Sequence, residues 1–192
     1  MPALQPYAID SFEFTNARFA RFASACLTSA DLWGDWELRP GDGGYLASVG
    51  RESFPARYVT YDQAAAACAY EGKTLCNASQ WSRACAGDGG FVYPWGNDAA
   101  PAACNGAGSW PDGGASPRAV GAMTTCEGAW PGVYDMAGNV AEWTSEMGRT
   151  HRITRGGSFM VGVAQLACDQ TVEAAEATQS EVIGFRCCKV PP

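Results

Sequence analysis

The feature that most constrains this chain is its cysteine content, with nine cysteines dispersed over 192 residues. A zinc framework normally needs closely spaced cysteines and histidines, but the sequence has no Cys-x-x-Cys pair and a single histidine, His151. Dispersed cysteines at this density indicate disulfides, which form and persist in oxidising compartments. We therefore expect an extracytoplasmic protein, either secreted, periplasmic or at a cell surface. The first residues, Met1-Pro2-Ala3, do not begin a signal peptide, so we interpret the chain as a mature domain or a fragment.

Composition and charge indicate a globular domain and argue against two kinds of partner. Hydrophobic residues make up 47% of the sequence, and the length suffices for a sizeable core, so we predict a single domain over residues 1–192. The 23 glycines and 11 prolines favour a loop-rich fold. A net charge of −7 argues against a nucleic-acid surface, because phosphate binding needs clustered Lys and Arg. No run of about 18 apolar residues occurs, which argues against a membrane span.

Three segments have the sequence pattern of helices, and each begins with a residue type that caps helix N-termini. In the second and third segments, a Gln three residues after the cap adds a capping box. The predicted helices are residues 16–27 capped by Thr15 or Asn16, residues 61–70 capped by Thr60 with Gln63, and residues 78–86 capped by Asn77 with Gln80.

Short stretches rich in β-branched and aromatic residues predict strands at residues 7–14, 133–143, 151–159 and 182–190. Residues 31–57 and 87–131 lack periodicity and are interpreted as loops. The first is long enough to be an insertion, a binding loop or a spacer. Short helices and scattered strands joined by long loops are typical of an α+β domain.

Residues 132–145 combine turn-forming and metal-binding residue types. Asp135 and Glu142 supply two carboxylates, and Gly138 permits a backbone conformation closed to other residues. A turn that curls back on itself points backbone carbonyls inward, and hard oxygen ligands of this kind are those that Ca²⁺ takes. The alternative is a turn held by its Met and Trp side chains, with both acids in water.

The same stretch, Asp-Met-Ala-Gly-Asn-Val-Ala-Glu-Trp-Thr-Ser at residues 135–145, resembles the signature of the formylglycine-generating enzyme (sulfatase-modifying factor) family. Five further matches follow the family's order, and the resemblance covers about residues 9–190. It implies a variant of the C-type-lectin-like fold, loop-rich, with a core held by disulfides and calcium. The further matches are Glu-Phe-Thr-Asn at 13–16, Gly-Lys-Thr-Leu at 72–75, Tyr-Pro-Trp-Gly-Asn at 93–97, Arg-Gly-Gly-Ser-Phe at 155–159 and Gly-Phe-Arg-Cys at 184–187.

The resemblance also implies calcium as the cofactor. In a first site, Asp135 and Glu142 would supply side-chain oxygens, and Gly138 and Val140 would supply backbone carbonyls. A second site matches the family less well in its spacing. Its implied ligands are Asn105, Gly106 and Asp112.

Four disulfides are expected. Two of them, which join residues 68 and 85 to the last third of the chain, are carried over from the family. If the neighbouring Cys187 and Cys188 lie in a strand, they point to opposite faces and should take different partners, and Cys76 is our choice for Cys188. A fourth pair brackets a loop and is expected to close it. The expected pairs are Cys68–Cys187, Cys85–Cys168, Cys76–Cys188 and Cys104–Cys126, with Cys26 unpaired.

The enzymes of this family oxidise a cysteine of a client sulfatase to formylglycine, with copper held by two thiolates that follow the Gly-Gly-Ser motif. The matching positions here are Val161 and Leu166, and neither can hold Cu(I), which prefers soft sulfur ligands. Ser158 is retained, but without the thiolates its role is structural. We therefore predict that the chain has no catalytic residues and is not an enzyme. The alternative is an oxidoreductase of the same superfamily that acts on an unidentified substrate.

The family fold is also used in binding proteins whose segment between Gly-Gly-Ser and Gly-Phe-Arg is diversified. The equivalent segment here, residues 159–183, is polar and acidic. We predict that it forms a ligand-binding face for a protein or a glycan. The alternative is a solvated loop with no function. The predicted ligand-binding residues are Met160, Gln165, Asp169, Gln170, Thr171 and Glu173.

Overall fold

The computed structural model describes residues 5–26, 50–110 and 115–191. These residues form helices α1 (Asn16–Cys26), α2 (Tyr61–Tyr70) and α3 (Ala78–Ala86). The strands are β1 (Ala8–Ile9), β2 (Thr74–Leu75), β3 (Ala141–Met147), β4 (Arg152–Arg155), β5 (Thr171–Ala174), β6 (Ile183–Phe185) and β7 (Cys187–Lys189). No helix within the described residues is long and apolar enough to cross a membrane. The predicted loop-rich α+β architecture is confirmed.

The strands form two small sheets. The first has the order β1-β7-β2, and the second has the order β5-β4-β3-β6. In the second sheet, β3 is antiparallel to β4 and parallel to β6. The consecutive strands β6 and β7 belong to different sheets, and only Arg186 lies between them. This residue therefore stands where the chain passes from one sheet to the other.

Both predicted capping boxes are present. In α2 the Thr60 side chain accepts a hydrogen bond from the Gln63 backbone N–H, and the Gln63 side chain accepts one from the Thr60 N–H. Asn77 and Gln80 form the same pair of bonds at the start of α3. Each box satisfies N–H groups that the first turn of a helix leaves without partners, so local sequence determines where these two helices begin.

The predicted strands differ more from the structure. Only residues 8–9 of the segment 7–14 form a strand, and in the segment 133–143 the strand begins at Ala141. The segment 182–190 contains two strands because Arg186 interrupts it. Strands β2 and β5 are not predicted from the sequence. Of the predicted loop 31–57, residues 31–49 lie outside the described part of the chain.

The main core lies between helices α1 and α2 and strands of both sheets. Phe19 and Phe22 of α1 are buried there, together with Trp143 of β3. The ring of Phe14 stacks on that of Phe185, with 4.6 Å between centroids. Residues that are distant in sequence thus share one apolar interior.

Four disulfides connect the helices, the loops and β7. They are Cys68–Cys187, Cys76–Cys188, Cys85–Cys168 and Cys104–Cys126, the same four pairs that the sequence analysis gives. The first three link cysteines that are 119, 112 and 83 residues apart. Bridges of this kind stabilise a fold by about 2–4 kcal/mol each, mainly by restricting the unfolded chain. The side chain of Cys26 lies outside the described part of the structure.

Arg186 is a fully buried charge at the junction of the two sheets. Its side chain is 0% exposed and forms an ion pair with that of Glu142, 1% exposed, with 2.7 Å between nitrogen and oxygen. The guanidinium also donates hydrogen bonds to the backbone carbonyls of Asp10, Tyr134 and Asp135 at 2.9–3.1 Å. A buried charge is tolerated only when it is paired and hydrogen-bonded. Arg186 therefore ties β3, the N-terminal segment and the turn before β3 to the sheet junction.

We expect Arg186→Met to lower the free energy of unfolding by about 3–5 kcal/mol, because it leaves the Glu142 carboxylate buried without its cation. Adding Glu142→Gln should recover part of this loss, since the double variant buries one unpaired carboxylate fewer than Arg186→Met alone. Urea titrations of the two single variants and the double variant give the coupling energy.

Arg152→Met is the matched control, because Arg152 pairs with Glu176 in a partly exposed ion pair. We expect Arg152→Met to lower the free energy of unfolding by about 1 kcal/mol. The buried ion pair would be contradicted if the substitutions at Arg186 and Glu142 lowered the free energy of unfolding in a strictly additive way. It would also be contradicted if the substitution at Arg186 cost no more stability than the one at Arg152.

Candidate functional site

Residues 135–142, the 135–142 turn, curl tightly before they enter β3. Three of them have left-handed backbone conformations, with φ of 56° at Asp135, 74° at Gly138 and 55° at Asn139. Asp and Asn tolerate this region better than other residues that carry a Cβ. At Gly138 a Cβ atom would lie 2.4 Å from the carbonyl oxygen of Asn105, so only glycine fits. The turn has the conformation that its residue types predict.

Both carboxylates of the predicted calcium site are buried, with Asp135 4% and Glu142 1% exposed, so neither acid lies in water. Asp135 Oδ2 accepts a hydrogen bond from the Gly121 N–H at 2.6 Å. Glu142 differs from the expectation, because both of its oxygens accept hydrogen bonds from Arg186 at 2.8 Å. Its Oε2 also accepts one from the Trp81 indole N–H at 2.7 Å. Glu142 is therefore the counter-ion of Arg186, and a bond from its carboxylate to a metal would come in addition to these hydrogen bonds.

A third buried carboxylate, that of Glu13, faces the same region. The pKa of Asp135 is raised to about 6, chiefly by burial, with a smaller upward contribution from the Glu142 charge and opposing ones from the Gly121 N–H and Arg186. Burial, followed by the charges of Asp135 and Glu142, holds the pKa of Glu13 well above its usual range. Three carboxylates thus face the single guanidinium of Arg186. Their hard oxygens are ligands of the kind that a divalent cation such as Ca²⁺ takes.

A calcium ion at the 135–142 turn would need backbone ligands. Within residues 5–26, 50–110 and 115–191, no three His, Cys, Asp or Glu side chains are arranged to hold a metal together. The ligands would therefore be the Asp135 and Glu142 carboxylates and the carbonyls of Gly138 and Val140. This set of four is the one that the resemblance implies, and it stays a prediction.

The implied second calcium site is built differently from the first. The side chain of Asn105 is buried, and its Oδ1 accepts a hydrogen bond from the Trp110 indole N–H at 2.9 Å. The Gly106 carbonyl accepts one from the Ser109 hydroxyl at 2.8 Å. Asp112 lies outside the described residues. Both described oxygens therefore have protein partners already, and calcium binding at this site also stays a prediction.

The two positions expected to match the copper ligands lie in an apolar cluster. Leu166 is 1% exposed and packs with Ala137 and the Cys104–Cys126 disulfide, and Val161 packs against the same cluster. Ser158 is buried, and its Oγ accepts a hydrogen bond from the Met160 N–H at 3.3 Å. Every cysteine whose side chain the structure describes is in a disulfide. These residues thus offer packing and no thiolate.

The segment 159–183 is more ordered than a plain loop. It contains a short 3₁₀ helix, Val163–Leu166, and the edge strand β5. All six predicted ligand-binding residues are exposed on it, namely Met160, Gln165, Asp169, Gln170, Thr171 and Glu173.

Glu173, the last predicted ligand-binding residue, binds a turn of its own chain. Its carboxylate accepts hydrogen bonds from the backbone N–H groups of Arg149, Thr150 and His151 at 2.8–3.2 Å. These bonds lower the pKa of Glu173 to about 2, and the bond from the Arg149 N–H has the largest effect. The side chain therefore anchors the β3–β4 connection, and its contact with a ligand stays a prediction.

Sequence reasoning does not identify the hydrogen-bond network around Asn139. The Asn139 amide donates to Glu13, and its oxygen accepts bonds from the Asn105 side chain and the Arg118 backbone N–H. The signal available in the sequence is that Glu13 and Asn139 both lie within segments that match the family motifs. Partners 126 residues apart are not evident from local pattern.

Comparison with known proteins agrees with this architecture. The family model described as the sulfatase-modifying factor enzyme 1-like domain matches residues 2–190. Formylglycine-generating enzyme from Mus musculus is 24% identical over 94% of this chain, which spans 65% of that protein. Inactive C-alpha-formylglycine-generating enzyme 2 from Mus musculus is 29% identical over 96% of this chain and 75% of that protein.

Among solved structures, PvdO from Pseudomonas aeruginosa superposes with a TM-score of 0.76 at 20% identity, over 97% of this chain and 81% of PvdO. At this identity the likeness shows the fold alone. The match of the family model extends over nearly the whole chain and includes every motif discussed above. The chain therefore belongs to the sulfatase-modifying factor enzyme 1-like domain family.

Proposed function

We propose that this chain is an extracytoplasmic, calcium-stabilised binding domain that does not carry out copper-dependent oxidation of cysteine. The observation that carries this proposal is the packing of Val161 and Leu166, at the positions expected to hold copper, into the apolar cluster around the Cys104–Cys126 disulfide. Cu(I) binds soft thiolate and thioether ligands, and two aliphatic side chains supply neither.

Nearby groups do not restore the thiolate pair. Cys168, the next cysteine after Leu166, is bonded to Cys85. The backbone at Val161 is also committed, because its carbonyl accepts a hydrogen bond from the Ala107 N–H at 2.9 Å. The position that would bind copper is therefore part of the packed scaffold.

The relatives support a non-catalytic role without deciding it. Some are named formylglycine-generating enzymes, whereas others are named inactive paralogues. The assignment for this chain therefore depends on its own residues at positions 161 and 166. The four disulfides support an oxidising, extracytoplasmic location.

The binding surface that we propose is the exposed part of the segment 159–183. The Cys85–Cys168 disulfide and the pairing of β5 with β4 hold this segment on the scaffold. Rigid scaffolds commonly display binding residues on such segments. Its exposed Asp169 and glutamines suit a polar or basic partner, either a protein or a glycan.

We expect the copper-loaded protein to form no aldehyde on a cysteine-containing sulfatase peptide under oxygen, because residues 161 and 166 provide no sulfur ligand. Mass spectrometry of the peptide measures the product. Formylglycine-generating enzyme from Mus musculus, assayed in parallel, is the positive control. Aldehyde above the level of a sample without protein would refute the non-enzymatic function.

We expect EDTA to lower the melting temperature of the wild-type protein and added Ca²⁺ to restore it. A ligand that binds only the folded state stabilises it by about 2.7 kcal/mol at a concentration 100 times its Kd. Asp135→Ala, which removes a proposed ligand, should reduce the shift between the EDTA and Ca²⁺ conditions.

The readout is this shift, because it cancels the backbone strain that alanine adds at a positive φ. Glu142 is unsuitable for the same test, since its removal also breaks the ion pair with Arg186. Asp98→Ala at an exposed position is the control and should keep the full shift. A wild-type melting curve that is the same in EDTA and in Ca²⁺ would rule out calcium stabilisation.

A further inference from the structure

Glu13 is a fully buried carboxylate that holds the middle of the 135–142 turn. It lies between β1 and α1, far in sequence from the turn. Its Oε2 accepts a hydrogen bond from the Asn139 side-chain amide at 2.6 Å, and its Oε1 accepts one from the Val140 backbone N–H at 3.0 Å. We infer that Glu13 is a positioning residue for calcium, because it fixes the peptide between the two proposed carbonyl ligands, Gly138 and Val140. This inference rests on the proposed calcium function.

The peptide planes of the turn show why this position matters. In a trans peptide the C=O and N–H point in opposite directions. The Asn139 N–H donates to the Asn105 carbonyl at 2.8 Å, which directs the Gly138 carbonyl away from Asn105. The Ala141 N–H donates to the Val182 carbonyl at 2.8 Å, which likewise sets the direction of the Val140 carbonyl. The intervening Asn139–Val140 peptide is held through its N–H by Glu13 and through its carbonyl, which accepts a hydrogen bond from the Phe159 N–H at 3.0 Å.

The side chain of Asn139 can make these bonds in only one orientation. Its Oδ1 accepts hydrogen bonds from the Asn105 side-chain amide at 3.0 Å and from the Arg118 N–H at 2.9 Å. A flipped amide would place the NH₂ group against these two donors and the oxygen against the Glu13 carboxylate. The NH₂ group of the Asn139 side chain therefore points toward the Glu13 carboxylate.

Backbone strain makes this support necessary. Gly138 and Asn139 are consecutive residues with positive φ, and a non-glycine residue in that region persists when its surroundings hold it there. Glu13 bonds both the side chain of Asn139 and the following N–H. A shift of this peptide would move the carbonyls on either side and with them the proposed coordination geometry.

The test is the Ca²⁺ affinity of the whole chain, measured by isothermal titration calorimetry. Glu13→Gln keeps the size of the side chain but turns an NH₂ group toward the Val140 N–H or the Asn139 amide. Glu13→Asp keeps the charge but shortens the reach, so that one carboxylate no longer spans both donors. Loss of an outer-shell partner typically weakens metal affinity by about 10–100-fold, and we expect both variants to lose at least about tenfold. Glu181→Gln, the same change at an exposed carboxylate, should bind like the wild type.

Melting curves in EDTA separate positioning from a purely structural role. A lower melting temperature in EDTA together with wild-type Ca²⁺ affinity in the variants would overturn the inference. Wild-type Ca²⁺ affinity in Glu13→Asp would also overturn the inference, because a carboxylate that cannot span both donors would then be sufficient for Ca²⁺ binding. This variant decides the question if Glu13→Gln does not fold. If the wild-type protein itself does not bind Ca²⁺, the calcium proposal fails and this inference fails with it. If the wild-type protein binds Ca²⁺ and the variants bind it equally well, only the inference about Glu13 fails.

Discussion

Arg186 and Glu142 form an ion pair that is closed off from water, at the place where the chain leaves one sheet and enters the other. Separating two such charges costs several kcal/mol, because neither can be solvated where it lies. The remaining guanidinium protons bond the backbone carbonyls of Asp10, Tyr134 and Asp135. One side chain thus fixes the N-terminal segment, the start of the 135–142 turn and strand β3 relative to each other. The tight curl of the turn depends on this junction, since both ends of the turn are bonded to it.

The buried charges and the positions expected to bind copper belong to different side-chain clusters of the scaffold. Glu142, Asp135 and Glu13 lie around Arg186, whereas Val161 and Leu166 lie in the cluster with the Cys104–Cys126 disulfide. Aliphatic side chains at 161 and 166 pack in that cluster at the positions expected to hold the thiolate pair. The motifs around the 135–142 turn are therefore compatible with a chain that has no copper chemistry. In our account they build the fold and supply calcium ligands.

Features that depend on a few neighbouring residues are the ones that the sequence predicts well. The capping boxes at Thr60 and Asn77 need only local chemistry, and the positive φ at Gly138 follows from its residue type. The four disulfide pairs are also predicted, two of them through the family resemblance and one through the alternation of Cys187 and Cys188 along a strand.

Features that depend on distant partners are not predicted. The break between β6 and β7 follows from a buried arginine whose partner lies 44 residues earlier in the chain. Glu173 is an exposed acid, but its bonds to the turn at residues 149–151 are not evident from the sequence. Similarly, Glu13 belongs to a recognised motif, but its bonds to Asn139 and Val140 become evident only in three dimensions.

The central claim, that the chain uses this scaffold with calcium and without a redox metal, is tested most directly by its metal content. The measurement is trace-metal analysis by inductively coupled plasma mass spectrometry on protein isolated without chelators. The account predicts calcium in stoichiometric amount, with copper and iron at the level of the buffer. Stoichiometric copper or iron would contradict it and would favour an oxidoreductase.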